Sequence, residues 1–332
     1  MTGFSRLVRW KTFAGKVLVS GTLLTIFLHF VDLSSVGTAI AGADIATLAL
    51  ALGLSFGQML LASVRWYLVA RATGPFPAIW PTVRMSFAGM FSSQMLPTSL
   101  GGDVIRIGLA HRLGVPITRA ASTVVLDRTA GLLSLLTLLG VTGFVLGNQL
   151  PTGWPVDWVR MVPPLVVAGV ILALLAGERV AGWISGWTIF GPIAQILRDS
   201  SALLRTGGVA TMVLMMSYAI HAAGAASIWF IAAGFGLELG YLEILGFLPI
   251  VILLVLVPIS IAGWGVREGA IVTLFSLHGI DAASALAVSM VWGAIIAVSA
   301  SVAGLIWFIT RSSDETLPGR DGADQSTGAQ AP

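Results

Sequence analysis

Two short stretches of this chain place an acid and an arginine within one helical turn, directly after a proline and small residues. The first runs Leu96-Pro97-Thr98-Ser99-Leu100-Gly101-Gly102-Asp103-Val104-Ile105-Arg106. The second runs Val257-Pro258-Ile259-Ser260-Ile261-Ala262-Gly263-Trp264-Gly265-Val266-Arg267-Glu268. Each follows an apolar segment, so each reads as a helix broken by Pro97, Gly101 and Gly102 or by Pro258, Gly263 and Gly265. An interrupted helix exposes unpaired N–H groups and a positive dipole end, which suit an anionic group. A guanidinium adds a planar, two-pronged donor for phosphate or carboxylate. The spacing of Asp103 and Arg106 puts both on one helix face, where they can neutralise each other. Asp127-Arg128 is a third acid–base pair, set inside a long apolar run, and Arg84 stands in the more polar segment that leads into the first break.

Such charges carry information because of what surrounds them. Of 332 residues, 56% are hydrophobic and 10% charged, with mean hydropathy +0.94; soluble domains carry about 25% charged residues. A spanning helix needs roughly 20 apolar residues, and the chain has room for about eight. The expected fold class is all-α, a polytopic membrane helical bundle with two broken, re-entrant segments. An Asp, Arg or Lys at the centre of a spanning helix costs ~2.5–3.5 kcal/mol, so such residues are paired or functional.

In chain order, residues 1–16 form a basic N-terminus, which by the positive-inside rule is cytoplasmic. A first span follows at about Val17–Val31, and a second at Ile45–Val64 ends at Arg65, Trp66 and Arg71 on the inner side. Phe76–Leu96 is too polar to face lipid and reads as a buried or re-entrant helix. The next span runs from Thr118 to about Gly147. A loop with Trp154, Asp157, Trp158 and Arg160 leads to a short span at Met161–Ala176. Glu178–Arg205 reads as one or two helices lying in the inner interface. Gly207–Leu237 spans again, Ile244–Val266 is broken, Gly269–Ile280 is a return limb, and Ala282–Thr310 is the last span. Residues 17–310 make one membrane domain, and 311–332 form a disordered cytoplasmic tail. The expected location is the cell (inner) membrane with both termini cytoplasmic.

Aligning Pro97-Thr98-Ser99-Leu100 with Pro258-Ile259-Ser260-Ile261 suggests an internal duplication, parallel or inverted; transporters hold paired broken helices around a substrate site. With no cysteine there are no disulfides or thiolate ligands. The four histidines show no ligand spacing, and neither a phosphate loop nor a zinc motif is present. Neither metal nor cofactor is expected, and no nucleic-acid partner.

The run Ser93-Gln94-Met95-Leu96-Pro97 through Gly101, Gly102, Asp103 and Arg106, then Ala120-Ala121-Ser122 and Leu126-Asp127-Arg128, resembles the lysylphosphatidylglycerol synthase transmembrane family. This is the flippase-like membrane domain also called the uncharacterised protein family 0104 type. Pro258-Ile259-Ser260 with Gly263, Gly265, Arg267 and Glu268 looks like its second motif, and the likeness covers roughly Leu18 to Thr310. In the multiple peptide resistance factor such a domain is fused to a soluble aminoacyltransferase and implicated in moving aminoacylated phosphatidylglycerol between leaflets. Stand-alone relatives are linked to hopanoids and other lipids, and some archaeal ones to polyprenyl-linked glycosylation. The aminoacyltransferase has no counterpart in these 332 residues, so the expectation is a lipid translocator rather than an enzyme. In it Arg106, Arg128 and Arg267 would contact phosphate, with Asp103, Asp127 and Glu268 holding them or receiving a proton or cationic head group. Ser99 and Ser260 would donate hydrogen bonds at the breaks, and Arg84 would line the site. The alternative is a membrane-embedded polyprenyl-phosphate or lipid transferase, or an accessory subunit of a lipid- or glycan-modifying enzyme.

Overall fold

A computed structural model describes residues 41–95, 100–146, 156–184, 186–187, 190–257, 260 and 263–311. The basic N-terminus, the first expected span, the tail, and Pro97, Ser99 and Pro258 lie outside the described residues. All regular structure among the described residues is helical, in eleven helices. These are α1 (Ile45–Thr73), α2 (Ile79–Met95), α3 (Gly101–Arg112), α4 (Ile117–Leu146), α5 (Val156–Leu175), α6 (Gly177–Ile184), α7 (Gly191–Arg205), α8 (Gly208–Gly234), α9 (Tyr241–Leu256), α10 (Val266–Ser276) and α11 (Ala282–Arg311). Five of them, α1, α4, α5, α8 and α11, are long and apolar enough to cross a bilayer, and α9 is a shorter apolar helix. This is a polytopic helical membrane protein. Helices satisfy their own backbone groups, which hydrocarbon requires.

Small residues decide where the helices meet, because lipid tails supply no hydrophobic drive between helices and close van der Waals packing must do so. α1 and α8 form the most extensive contact. Gly234 there lies against Thr47, Gly224 against Gln58, and the Ser227 hydroxyl donates to the Ala51 carbonyl at 3.1 Å. α4 and α5 pair through Gly140, which faces Pro164, and Gly143, which faces Val159. α2 and α3 close into a hairpin at Gly89 and Gly102, where a Cβ on Gly89 would stand 2.8 Å from the Gly102 carbonyl oxygen. α9 and α10 form a second hairpin, in which Gly263 sits over Val255. Both hairpins pack on α11, the first placing Phe91 at Gly304 and the second placing Arg267 at Gly293. These glycines are eleven residues apart, close to three full turns, so one face of α11 receives both hairpins about 16 Å apart.

Two boundaries differ from the sequence expectation. The second span does not end at Arg65: α1 continues to Thr73 and buries Arg65 and Trp66, leaving Arg71 exposed. Apolar count alone ends the span at the first charge, whereas partners on other helices carry this charge inside. Asp157, Trp158 and Arg160 are not loop residues but form the first turn of α5, where Arg160 Nε donates to the Gly143 carbonyl at 3.0 Å. The segment expected at the interface is two helices, α6 and α7. They meet at Gly177 and at the buried Ala181 and Ala194, are bridged by Arg205 and Glu178, and leave Trp183 and Trp187 exposed.

Candidate functional site

Asp103 lies in the first turn of α3 because the chain re-enters a helix at Gly101, and the glycine contact with α2 holds that turn in the interior. Its carboxylate takes two arginines. Arg106, one turn along α3, donates from Nη2 to Oδ1 at 2.6 Å, as the i,i+3 spacing anticipates. Arg128 of α4 donates from Nε to Oδ2 at 3.0 Å and from Nη2 to Oδ1 at 2.9 Å, a two-pronged grip. Asp127 and Arg128, adjacent in sequence, thus serve different partners. Asp127 accepts from Arg65 Nε of α1 at 2.8 Å and lies 3.5 Å from Arg106 Nη1. Arg65 also donates from Nη1 to the Ser217 hydroxyl of α8 at 2.9 Å. Arg106 stacks over Trp66, 4.8 Å from the ring centroid, and Trp66 Nε1 donates to Thr123 at 3.1 Å.

Arg65, Asp127, Arg106, Asp103 and Arg128 therefore form one chain of charges drawn from α1, α3 and α4 and anchored on α8. All but Arg128 are buried; its side chain is 56% exposed. Arg65 lies eight residues from the C-terminal end of α1, Asp127 ten from the start of α4 and Ser217 nine from the start of α8, so the network sits about 12–15 Å inside one end of the bundle.

The second constellation is built differently. Gly263 and Gly265 have φ of 80° and 86°, backbone that glycine adopts without steric cost. They turn the chain into α10 so that Glu268 is the third residue of the helix, the position Asp103 holds in α3. Glu268 Oε2 accepts from the Gly265 N–H at 2.5 Å, while Oε1 accepts from Arg267 Nη2 at 2.6 Å, Nε at 3.1 Å and Ser289 Oγ at 3.3 Å. Glu268 is 0% exposed. Arg267 lies between Trp264 and Trp292, 4.5 and 5.8 Å from their centroids, in space that Gly293 leaves open. This cluster is electrically neutral and sealed.

Ser260 is buried, and its hydroxyl has no hydrogen-bond partner among the described residues. Arg84 is half-buried on α2. Among the described residues there is no group of His, Asp and Glu placed to hold a metal ion. Arg65, Ser217, Trp66, Trp292 and Gly293 are members that the sequence reading does not single out; a charge amid an apolar run that resumes after it, as Arg65 is, was the available signal.

A multi-pass membrane protein with an ion network lodged between its helices is the class these observations define. Residues 13–304 match the family model described as Lysylphosphatidylglycerol synthase TM region. The chain belongs to that family. It is also similar to a UPF0104 membrane protein of Methanothermobacter thermautotrophicus, 21% identical over 302 residues that cover 83% of this chain and 88% of the relative.

Proposed function

We propose that this protein is a lipid translocator of the cell membrane, moving a phospholipid or another anionic or isoprenoid lipid between leaflets. The observation that carries this reading is the network of three arginines and two aspartates held about 12–15 Å inside one end of the bundle. Crossing a bilayer is costly for a lipid because its head group must leave water for hydrocarbon. A fixed set of guanidiniums and carboxylates at that depth replaces the lost hydration, while the tails stay in the surrounding lipid. Membership of a family named for a lipid synthase's transmembrane region supports a lipid cargo.

The two clusters divide the work. The Asp103–Arg128 network meets the head group. The Arg267–Glu268 pair holds the α9–α10 hairpin against α11 by fixing the first turn of α10. Leaflet exchange of fluorescent phospholipids in proteoliposomes tests the reading, with wild type beside Arg106→Ala and Arg267→Ala. The expected result is exchange by wild type and a loss of at least about ten-fold in each variant, both remaining monodisperse. Normal exchange by both folded variants removes the proposed site. Absence of exchange by wild type with every lipid offered removes the transport reading.

A further inference from the structure

Arg128 is placed unlike the other four members of its network. It lies on the outward stripe of α4, between Val125 one turn before it and Leu132 one turn after it, both exposed. Across from it Leu100, just before α3, and Val104 on α3 are exposed, on either side of Asp103. A half-exposed arginine side chain therefore lies among apolar side chains on a spanning helix. It is not free to reach water by extending along the helix, because Nε and Nη2 are both committed to Asp103. A guanidinium has five N–H donors; two point at the carboxylate, and Nη1 with the second Nη2 hydrogen remains for a ligand. Three guanidiniums against two carboxylates leave the network one positive charge in excess.

On the lipid-translocator reading, we infer that Arg128 is the point of contact with the cargo and that the cargo's head group is a singly negative phosphodiester. It is reached sideways from the membrane between α3 and α4. The phosphate takes the open fork of Arg128 as a second two-pronged partner, and the acyl chains lie along Val125, Leu132 and Val104. One negative charge brings the network to neutrality at a depth where surplus charge is costly. A head group with no net charge places its own cation beside Arg128, and one with more than one negative charge overshoots. The Arg267–Glu268 pair, neutral and enclosed, takes no part in this contact.

Native mass spectrometry of the full chain released from detergent, counting bound short-chain lipids, tests this. With phosphatidylglycerol and phosphatidylcholine offered in equal amounts, wild type should retain the singly negative lipid at least about ten-fold over the uncharged one. Arg128→Gln should bring the ratio close to one. Asp103→Asn, which raises the excess charge to two, should shift the preference towards phosphatidic acid. Val125→Glu leaves every member of the network in place and sets a carboxylate one turn from Arg128, where i,i+3 pairing should abolish the preference even if Arg128→Gln does not fold. Equal retention of the two lipids by wild type, or an unchanged preference in folded Arg128→Gln or Val125→Glu, overturns the inference. Displacement of the lipid by an equal concentration of soluble glycerophosphoglycerol also overturns it, making the ligand a solute. Leaflet exchange on the same samples separates the two claims. Exchange without anion preference leaves transport standing and removes this site, whereas anion preference without exchange leaves the site and removes transport.

Discussion

Arg65 was the hardest residue to place from sequence. It closes a twenty-residue uncharged run, so it reads as the end of a span, and its partner Asp127 lies 62 positions away. Asp103–Arg106 was legible because i,i+3 spacing alone puts the two on one face; the Arg267–Glu268 bond was not, because adjacent residues on a helix do not ordinarily face each other. The exchange of partners between Asp127 and Arg128 was not, since it depends on where α1 and α3 lie against α4. The structure makes Arg65 a strong test of the network. Arg65→Met leaves Asp127 with only the 3.5 Å contact to Arg106, and removing one partner of a buried ion pair costs about 3–5 kcal/mol. A fall of several degrees in the unfolding midpoint in detergent is expected. Adding Asp127→Leu should recover part of it, because Arg106 keeps Asp103 and no carboxylate is then stranded. A single variant as stable as wild type would show that Arg65 and Asp127 are not paired.

At the scale of elements, Gly101 and Gly102 are not themselves breaks but the first two residues of α3, whereas Gly263 and Gly265 precede α10, and glycines set how closely the helices pack. Composition showed thirty-nine glycines but not which ones bear contacts. Gly102→Ala places a Cβ 2.9 Å from the Gly89 carbonyl carbon, so α2 and α3 must part; overpacking of this kind costs about 1–3 kcal/mol. Gly293→Ala places one 2.6 Å from Arg267 Cζ and should loosen the Glu268 pair. Gly108→Ala, on the open side of α3 with nothing within 4 Å, should be neutral or stabilise by up to about 1 kcal/mol. Thermal unfolding of the three side by side tests whether contact, rather than helix propensity, sets the order. The start of α11 offers a pH-dependent counterpart. Asp281 accepts from the Ser284 hydroxyl and also from the Ser284 N–H at 2.9 Å, and these two bonds hold its carboxyl below the usual carboxylate range. Its cap is therefore fully present above the unfolded pKa and is lost as pH falls through the lower folded value. Asp281→Ala should cost about 1 kcal/mol at neutral pH, with a difference from wild type that shrinks on acidification below the ordinary carboxylate range.

Over the whole molecule, the described arginines outside the ion network concentrate at one end of the bundle, with Glu178 and Asp199 beside them, while Arg160 stands at the other. Arg71 at the close of α1, Arg112 at the end of α3, Arg119 near the start of α4, and Arg179, Arg198 and Arg205 on α6 and α7 gather at the end nearest the ion network. Asp44, Asp157, Glu238 and Asp281 stand at the other end, where the Asp44 N–H meets the Gly234 carbonyl and the start of α11 packs on Phe235. If arginine-rich loops stay on the cytoplasmic side, the expected orientation has the network nearer the inner leaflet and the C-terminal end of α11 inside. The chain has no cysteine, so a single introduced thiol reports its own side without background. Arg71→Cys and Asp44→Cys flank α1, which at 29 residues is about 43 Å long. In intact cells a membrane-impermeant maleimide should label the Asp44 variant at once and the Arg71 variant only after permeabilisation. The opposite order would invert the protein in the membrane and place the ion network on the outer side. Labelling of both in intact cells would show that α1 does not span, and the depth assigned to Arg65, Asp127 and Ser217 would fall with it.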